Sequence, residues 1–201
     1  MDQLLVLESN WNEDTLDDFS VWPFFREFSN VMHIGAHYKT FSDFKTLRHW
    51  IDVYDKSGHS KSDKKVLYIA SHGSDRRIYG LGKAINHSSI IQILEGCESI
   101  THVLFGCCSF GGQDNLIDIV HKSPSLKFAS GYEKEIDWID STLFDLFVLR
   151  MIYDRDSRAL HTKMYDLMDQ ENPKMADKLE FKFAYEYRGY VQSSARLSDY
   201  E

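Results

Sequence analysis

The order of the apolar segments predicts an α/β fold with a mostly parallel central sheet flanked by helices. Short apolar runs alternate with longer segments whose apolar residues recur every three or four positions. That alternation is the pattern of a sheet covered on both faces. Two of the short runs are apolar almost throughout, as strands buried on both faces are. Each of these two runs ends in a chemically reactive residue followed by glycine. One reads Lys65-Val66-Leu67-Tyr68-Ile69-Ala70-Ser71-His72-Gly73. The other reads Thr101-His102-Val103-Leu104-Phe105-Gly106-Cys107-Cys108-Ser109-Phe110-Gly111-Gly112.

Taken in order, Leu4–Leu7 is a first buried strand. The stretch from Asp14 to Phe28 carries Leu16, Phe19, Phe24 and Phe28 at helical spacing, interrupted by Pro23. Val31 to Tyr38 is read as a strand. Phe44, Leu47, Ile51 and Tyr54 mark one face of a helix, with Ser42 or Asp43 as its cap. Lys56 to Lys64 is polar and forms a loop. Lys65–Ala70 is the third strand, and Ser88 to Leu94 a short helix. Thr101–Phe105 is the fourth strand, and Gln113 to His121 a helix. Leu126 to Ser130 is the fifth strand. Asp140 is expected to cap a helix carrying Leu143, Phe144, Phe147, Val148 and Met151. A further helix runs near Ser157 to Met168. The alternation of Phe181, Phe183, Tyr185 and Tyr187 predicts a strand within Leu179–Val191.

At 201 residues the chain is read as one domain, with a core over residues 1–153 and a helix-and-strand extension over 154–201. Hydrophobic residues make up 43% and aromatics 14%, enough to bury a core. The formal charge of −8 argues against nucleic acid as a partner, because phosphates need basic surface. No apolar run approaches the ~20 residues of a membrane span, and Met1–Leu7 lacks the basic start of a signal peptide. Three cysteines, two of them adjacent, make a poor disulfide framework and point to a reducing, cytoplasmic compartment.

In a parallel sheet, reactive groups gather at the carboxyl ends of the strands. If the two reactive runs are neighbours, His72 and Cys108 lie side by side at that edge. A free thiol with a pKa of ~8.5 is only a few per cent ionised at neutral pH. A nearby imidazole or helix N-terminus raises that fraction. The backbone N–H groups of Gly73 and Cys108, with those of Gly111 and Gly112, are candidates to hold an oxyanion. Cys97 and Cys107 read as core residues, since a free cysteine is a small hydrophobe more often than a nucleophile. His33, His37, His102, His121 and His161 form no metal-ligand pattern, so neither a metal nor another cofactor is expected.

These motifs resemble those of the caspase-like cysteine peptidases, a superfamily including caspases, gingipains, separases and bacterial CHAT domains. His72-Gly73 is similar to the family's His-Gly. Gly106-Cys107-Cys108-Ser109-Phe110-Gly111 is similar to its Ser-Ala-Cys-x-x-Gly, with Cys107 in the small-residue position. The segment Ala129-Ser130-Gly131-Tyr132, followed by Ile136-Asp137-Trp138-Ile139-Asp140, resembles the CHAT and separase pattern. The resemblance covers roughly residues 1 to 153. It implies a three-layer caspase-like sandwich and an endopeptidase with Cys108 as nucleophile and His72 as proton carrier. It further implies Asp137 and Asp140 as substrate-binding carboxylates for a basic residue before the cut. The Asp that metacaspases carry two residues before the nucleophile is absent, because that position is Gly106. The family also implies a protein or peptide substrate and an activating protein partner. Residues 155–201 either cover the sheet or form the edge of a homodimer. The compact form is closest to bacterial members.

Two other readings stay open. Cys107-Cys108-Ser109-Phe110-Gly111 resembles the nucleophile elbow of serine hydrolases, with Ser109 as nucleophile and His161 as the late histidine. Alternatively, the chain is a catalytically silent caspase-like binding module.

Overall fold

The computed structural model describes residues 1–9, 19–58, 60 and 62–194. Among them a seven-stranded sheet forms the middle layer. Its strands in chain order are β1 (Gln3–Glu8), β2 (Gly35–Thr40), β3 (Lys65–Ser71), β7 (His102–Cys107), β8 (Phe128–Tyr132), β9 (Phe181–Tyr187) and β10 (Tyr190–Ser193). Across the sheet the order is β10-β9-β8-β7-β3-β1-β2. The first five in chain order are parallel, and the β9–β10 hairpin closes one edge antiparallel. Its turn, Arg188-Gly189, has both φ angles positive, at 53° and 83°, as a tight primed hairpin turn requires. A small sheet of β4 (Gly73–Ser74), β5 (Arg77–Gly80) and β6 (Lys83–Asn86) follows β3 directly.

The side-chain period of two splits the core. Leu5, Leu7, Leu67, Ile69, Val103 and Phe105 face one side, where α2 (Phe44–Lys56), α3 (His87–Glu95) and α4 (Gln113–Lys122) cover them. Leu4, Val6, Val66, Tyr68, Ala70 and Leu104 face the other. There α1 (Trp22–Met32), α5 (Trp138–Tyr153), α6 (Leu160–Asp166) and α7 (Pro173–Leu179) cover them. The result is a three-layer sandwich. No helix among the described residues is long and apolar enough to cross a membrane.

Several boundaries differ from the sequence expectation for physical reasons. Pro23 does not interrupt a helix; it stands in the first turn of α1, where its missing N–H costs nothing. The part of that expected helix over residues 14–18 lies outside the described residues. Val31 and Met32 end α1 rather than begin β2, with His33 closing the helix in the left-handed conformation (φ 54°). Asp137, not Asp140, caps α5; its carboxylate accepts the backbone N–H groups of Ile139 and Asp140, each at 3.0 Å. Asp43 caps α2 in a reciprocal box with Thr46. The short strands β4–β6 and the helix α7 were absent from the expectation.

Candidate active site

The pairing of β3 with β7 builds the site. Ser71 stands opposite Cys107 in the parallel ladder. His72 and Cys108 follow directly, so both leave the two paired strands at the same sheet edge. Both line one cleft of about 130 Å³. Its other walls come from Val21 at the start of α1, Tyr68 of β3 and Gly106 of β7. Ile136, before α5, and the first turns of α5, through Trp138, Ser141 and Thr142, complete it. His72 is exposed and Cys108 half-buried, so solvent and a ligand reach both.

Cys107 is separated from this cleft by the pleat. Its side chain is fully buried on the α2–α4 face, its sulfur 3.4 Å from Ser71 Oγ and 3.3 Å from the Ile69 carbonyl. Burial pushes its thiol up to about 12. Cys97 is also buried and is raised to about 12 for the same reason.

The backbone around Cys108 is tightly set. A Cβ at position 73 would fall 2.2 Å from the Cys108 carbonyl oxygen, so only glycine lets the chain after His72 pass this close. In the β4–β5 hairpin the Tyr79 N–H donates to the His72 carbonyl, and Gly73 stands opposite Ile78. By the alternation of an antiparallel ladder, the Gly73 N–H then points away from β5. Ser109 takes a positive φ of 54° to turn the chain out of β7, and its N–H donates to the Lys134 carbonyl at 2.9 Å. The Gly111 N–H is taken by the Tyr132 carbonyl at 2.9 Å. Of the amides expected to hold an oxyanion, that of Gly111 is therefore already used.

The carboxylates predicted to bind substrate are engaged elsewhere. Asp137 caps α5, and Asp140 pairs with Lys178 of α7. Neither lines the cleft. Lys178 and the capping role account for both positions.

Two buried acids that the sequence reading passed over brace the cleft instead. Asp145 of α5 is 2% exposed and accepts hydrogen bonds from the Tyr68 and Tyr132 hydroxyls, each at 2.7 Å. Burial raises its carboxyl to about 7, with the two tyrosine bonds acting in the opposite direction. Glu8, at the end of β1, accepts the Val21 N–H at 2.9 Å, the Ser20 hydroxyl at 2.5 Å and the Tyr38 hydroxyl at 3.0 Å. It thereby holds Val21 against the cleft. A lone acid inside the apolar run of α5 was the available signal for Asp145.

His161 stacks on Tyr185 at 4.7 Å, and Tyr185 pairs with Phe128, the first residue of β8. It therefore sits at the amino end of the parallel strands, away from Ser109. Among the described residues no group of three or more His, Cys, Asp or Glu side chains is placed to hold a metal ion.

The fold has solved counterparts. One is the X-ray structure of a secreted C11 cysteine protease from Bacteroides thetaiotaomicron, in complex with an irreversible peptide inhibitor. The two superpose with a TM-score of 0.53 at 11% identity, over 87% of this chain. The fold is caspase-like. The match spans 59% of the length of that protease. No family model and no curated protein sequence matches the chain.

Proposed function

We propose that the chain is a cysteine peptidase in which Cys108 and His72 act as a dyad. The observation that carries this reading is the shared cleft at the carboxyl ends of β3 and β7, lined by both residues. The caspase-like fold, seen in a protease solved with a peptide inhibitor, supports it.

The chemistry follows from the parts. The Cys108 thiolate attacks the carbonyl carbon of a peptide bond, and a C–S bond forms. The carbonyl oxygen becomes an oxyanion, for which the Gly73 and Cys108 backbone N–H groups are the proposed donors. Protonated His72 gives its proton to the leaving amine as the C–N bond breaks. His72 then takes a proton from water as it attacks the thioester carbonyl, and the C–S bond breaks to release the acid and return the Cys108 thiolate. Ser109 as the nucleophile has less support, since it does not line the cleft and His161 lies at the opposite strand ends.

The expected preference for a basic residue before the cut rested on Asp137 and Asp140, whose carboxylates are engaged outside the cleft. An activating partner and a homodimer remain part of the proposal. The exposed edge strand β10 is the natural place for a second copy to pair.

The test is a fluorogenic peptide library with the wild-type chain, Cys108→Ala and His72→Ala. Cleavage lost in both variants supports the dyad. Thiol-alkylator resistance with loss in Ser109→Ala replaces it with the serine reading, and no turnover or covalent labelling under any condition leaves a binding module. Full turnover by the isolated chain removes the need for a partner.

A further inference from the structure

We propose that the cleft selects an uncharged, apolar side chain of about leucine or methionine size on the residue before the scissile bond. This rests on the cysteine-peptidase reading and names its substrate class. The carbonyl attacked by Cys108 belongs to that residue, so its side chain is the one placed to enter the space beside the sulfur.

The lining sets the chemistry. Val21, Tyr68, Ile136 and Trp138 present mainly carbon, and Gly106 presents backbone. The hydroxyls of Ser141 and Thr142 both donate to the Trp138 carbonyl, at 3.1 and 2.7 Å, so their protons are already used. The floor is held by Tyr68. A Cβ at position 106 would meet the Tyr68 hydroxyl oxygen at 2.1 Å, so no side chain can project from β7 there. Tyr68 occupies that space and is fixed from behind by Asp145.

Among the described residues, the walls of the cleft carry no carboxylate to meet a basic residue. Asp145 has both oxygens on tyrosine hydroxyls, and Glu8 has both oxygens on Ser20, Val21 and Tyr38. Asp137 caps α5, Asp140 meets Lys178, and Glu135 is exposed and does not line the cleft. A guanidinium or ammonium placed here would lose water without gaining a carboxylate from the described residues.

Size agrees with this class. The cleft holds about 130 Å³, slightly less than an engineered apolar cavity of ~150 Å³ that takes up benzene. A leucine or methionine side chain fits this space.

The experiment uses the wild-type chain and peptidyl ketone probes identical except for the residue next to the warhead: Leu, Met, Phe, Arg, Lys, Asp or Trp. Modification of Cys108 is timed by intact mass and located by peptide mapping, with Cys108→Ala as control. The Leu or Met probe should react fastest. Arg, Lys and Asp should lag by at least about a hundredfold, the penalty of an unpaired buried charge. Labelling of Cys108 led by Arg or Lys, or equal for all probes, overturns the selectivity and leaves the peptidase reading standing. Absence of Cys108 labelling by every probe overturns both. Ser141→Asp puts a carboxylate in the cleft at the N-terminal end of α5, where a negative charge is tolerated. With folding verified by circular dichroism, it should move the preference toward Arg by about tenfold or more, one charge pair's worth. An unchanged order in the folded variant means that this cleft does not read the substrate.

Discussion

At the end of β7 the two faces of the sheet treat adjacent cysteines differently. Cys107 turns toward α2–α4 into a dry face, where Ser71 and the Ile69 carbonyl hold its sulfur. Cys108 comes one residue later and opens on the α1–α5 side, in a cleft with an exposed imidazole. The faces also differ in the kind of polar group they bury. The α2–α4 side buries the Lys65 ammonium, which donates to the Tyr54, Asp55 and Ser57 carbonyls at the end of α2, and the His87 imidazole, which meets the Asn115 carbonyl. The α1–α5 side carries buried acids and the tyrosines that satisfy them. Reactivity here is a matter of side. A cysteine thiol is inert on one face and available on the other, and the available side is the one that buries acids.

The largest effect expected from breaking this contrast is Cys108→Ala. It should lower peptide turnover by at least about a thousandfold, as losing a nucleophile does, with no change in the thermal unfolding midpoint beyond about 2 °C. Loss of activity accompanied by unfolding would put Cys108 in the same structural role as Cys107. Next is Gly73→Ala. Its methyl would overlap the Cys108 carbonyl oxygen, now 2.2 Å from the Cβ position, and must push the two strand ends apart. A displacement of about 1 Å costs on the order of a hundredfold in rate. Single-turnover kinetics should show the loss in the chemical step, and unaltered kinetics would mean that the two backbones need not approach.

The strand ends were legible because buried parallel strands leave continuous apolar runs, and the glycine after each run marks where the chain must turn. His72 and Cys108 could therefore be placed at strand ends, and the pairing of β3 with β7 brings those ends to one edge. The braces were not legible. Tyr68 reads as one more apolar residue of β3, although its hydroxyl finds Asp145 seventy-seven positions later. Asp145 lies in a helix that is apolar on most sides, so no period singled out its face. Asp140 looked like the cap because it stands three residues before the apolar stretch that begins at Leu143. Asp137, three residues earlier, satisfies the first N–H groups and starts the helix one turn sooner. The strands β4–β6 are too short, at two to four residues, for alternation to declare them.

The polar side of the contrast is sharpened by Asp145→Asn. In the folded protein the Asp145 carboxyl is raised to about 7, above its unfolded value near 4. Between those values the folded state holds a proton that the unfolded state has released, so stability falls as pH rises from about 4 to about 7 and stays low above that. A raise of this size corresponds to on the order of 4 kcal/mol. Asparagine keeps an acceptor for one tyrosine and removes the charge. Urea unfolding at pH 5 and pH 8 should show that the wild type loses stability across this window and that the variant loses much less. Equal slopes in both proteins would locate the pH dependence in other groups.

The smallest effect tests the inert thiol. Cys107→Ala removes a sulfur that contacts Ser71 and the Ile69 carbonyl and leaves a small void in a packed face. That should cost about 1–2 kcal/mol of stability and leave turnover within about twofold, since the sulfur touches nothing in the cleft. Native-state titration with a disulfide reagent should then be unchanged, because Cys108 is the thiol that reacts while Cys97 and Cys107 stay buried until the protein unfolds. The reverse pattern, with native reactivity lost in Cys107→Ala and retained in Cys108→Ala, would exchange the two faces and with them the identity of the nucleophile. Retained reactivity in the first variant and its loss in the second would tie the accessible thiol to the cleft that also holds His72.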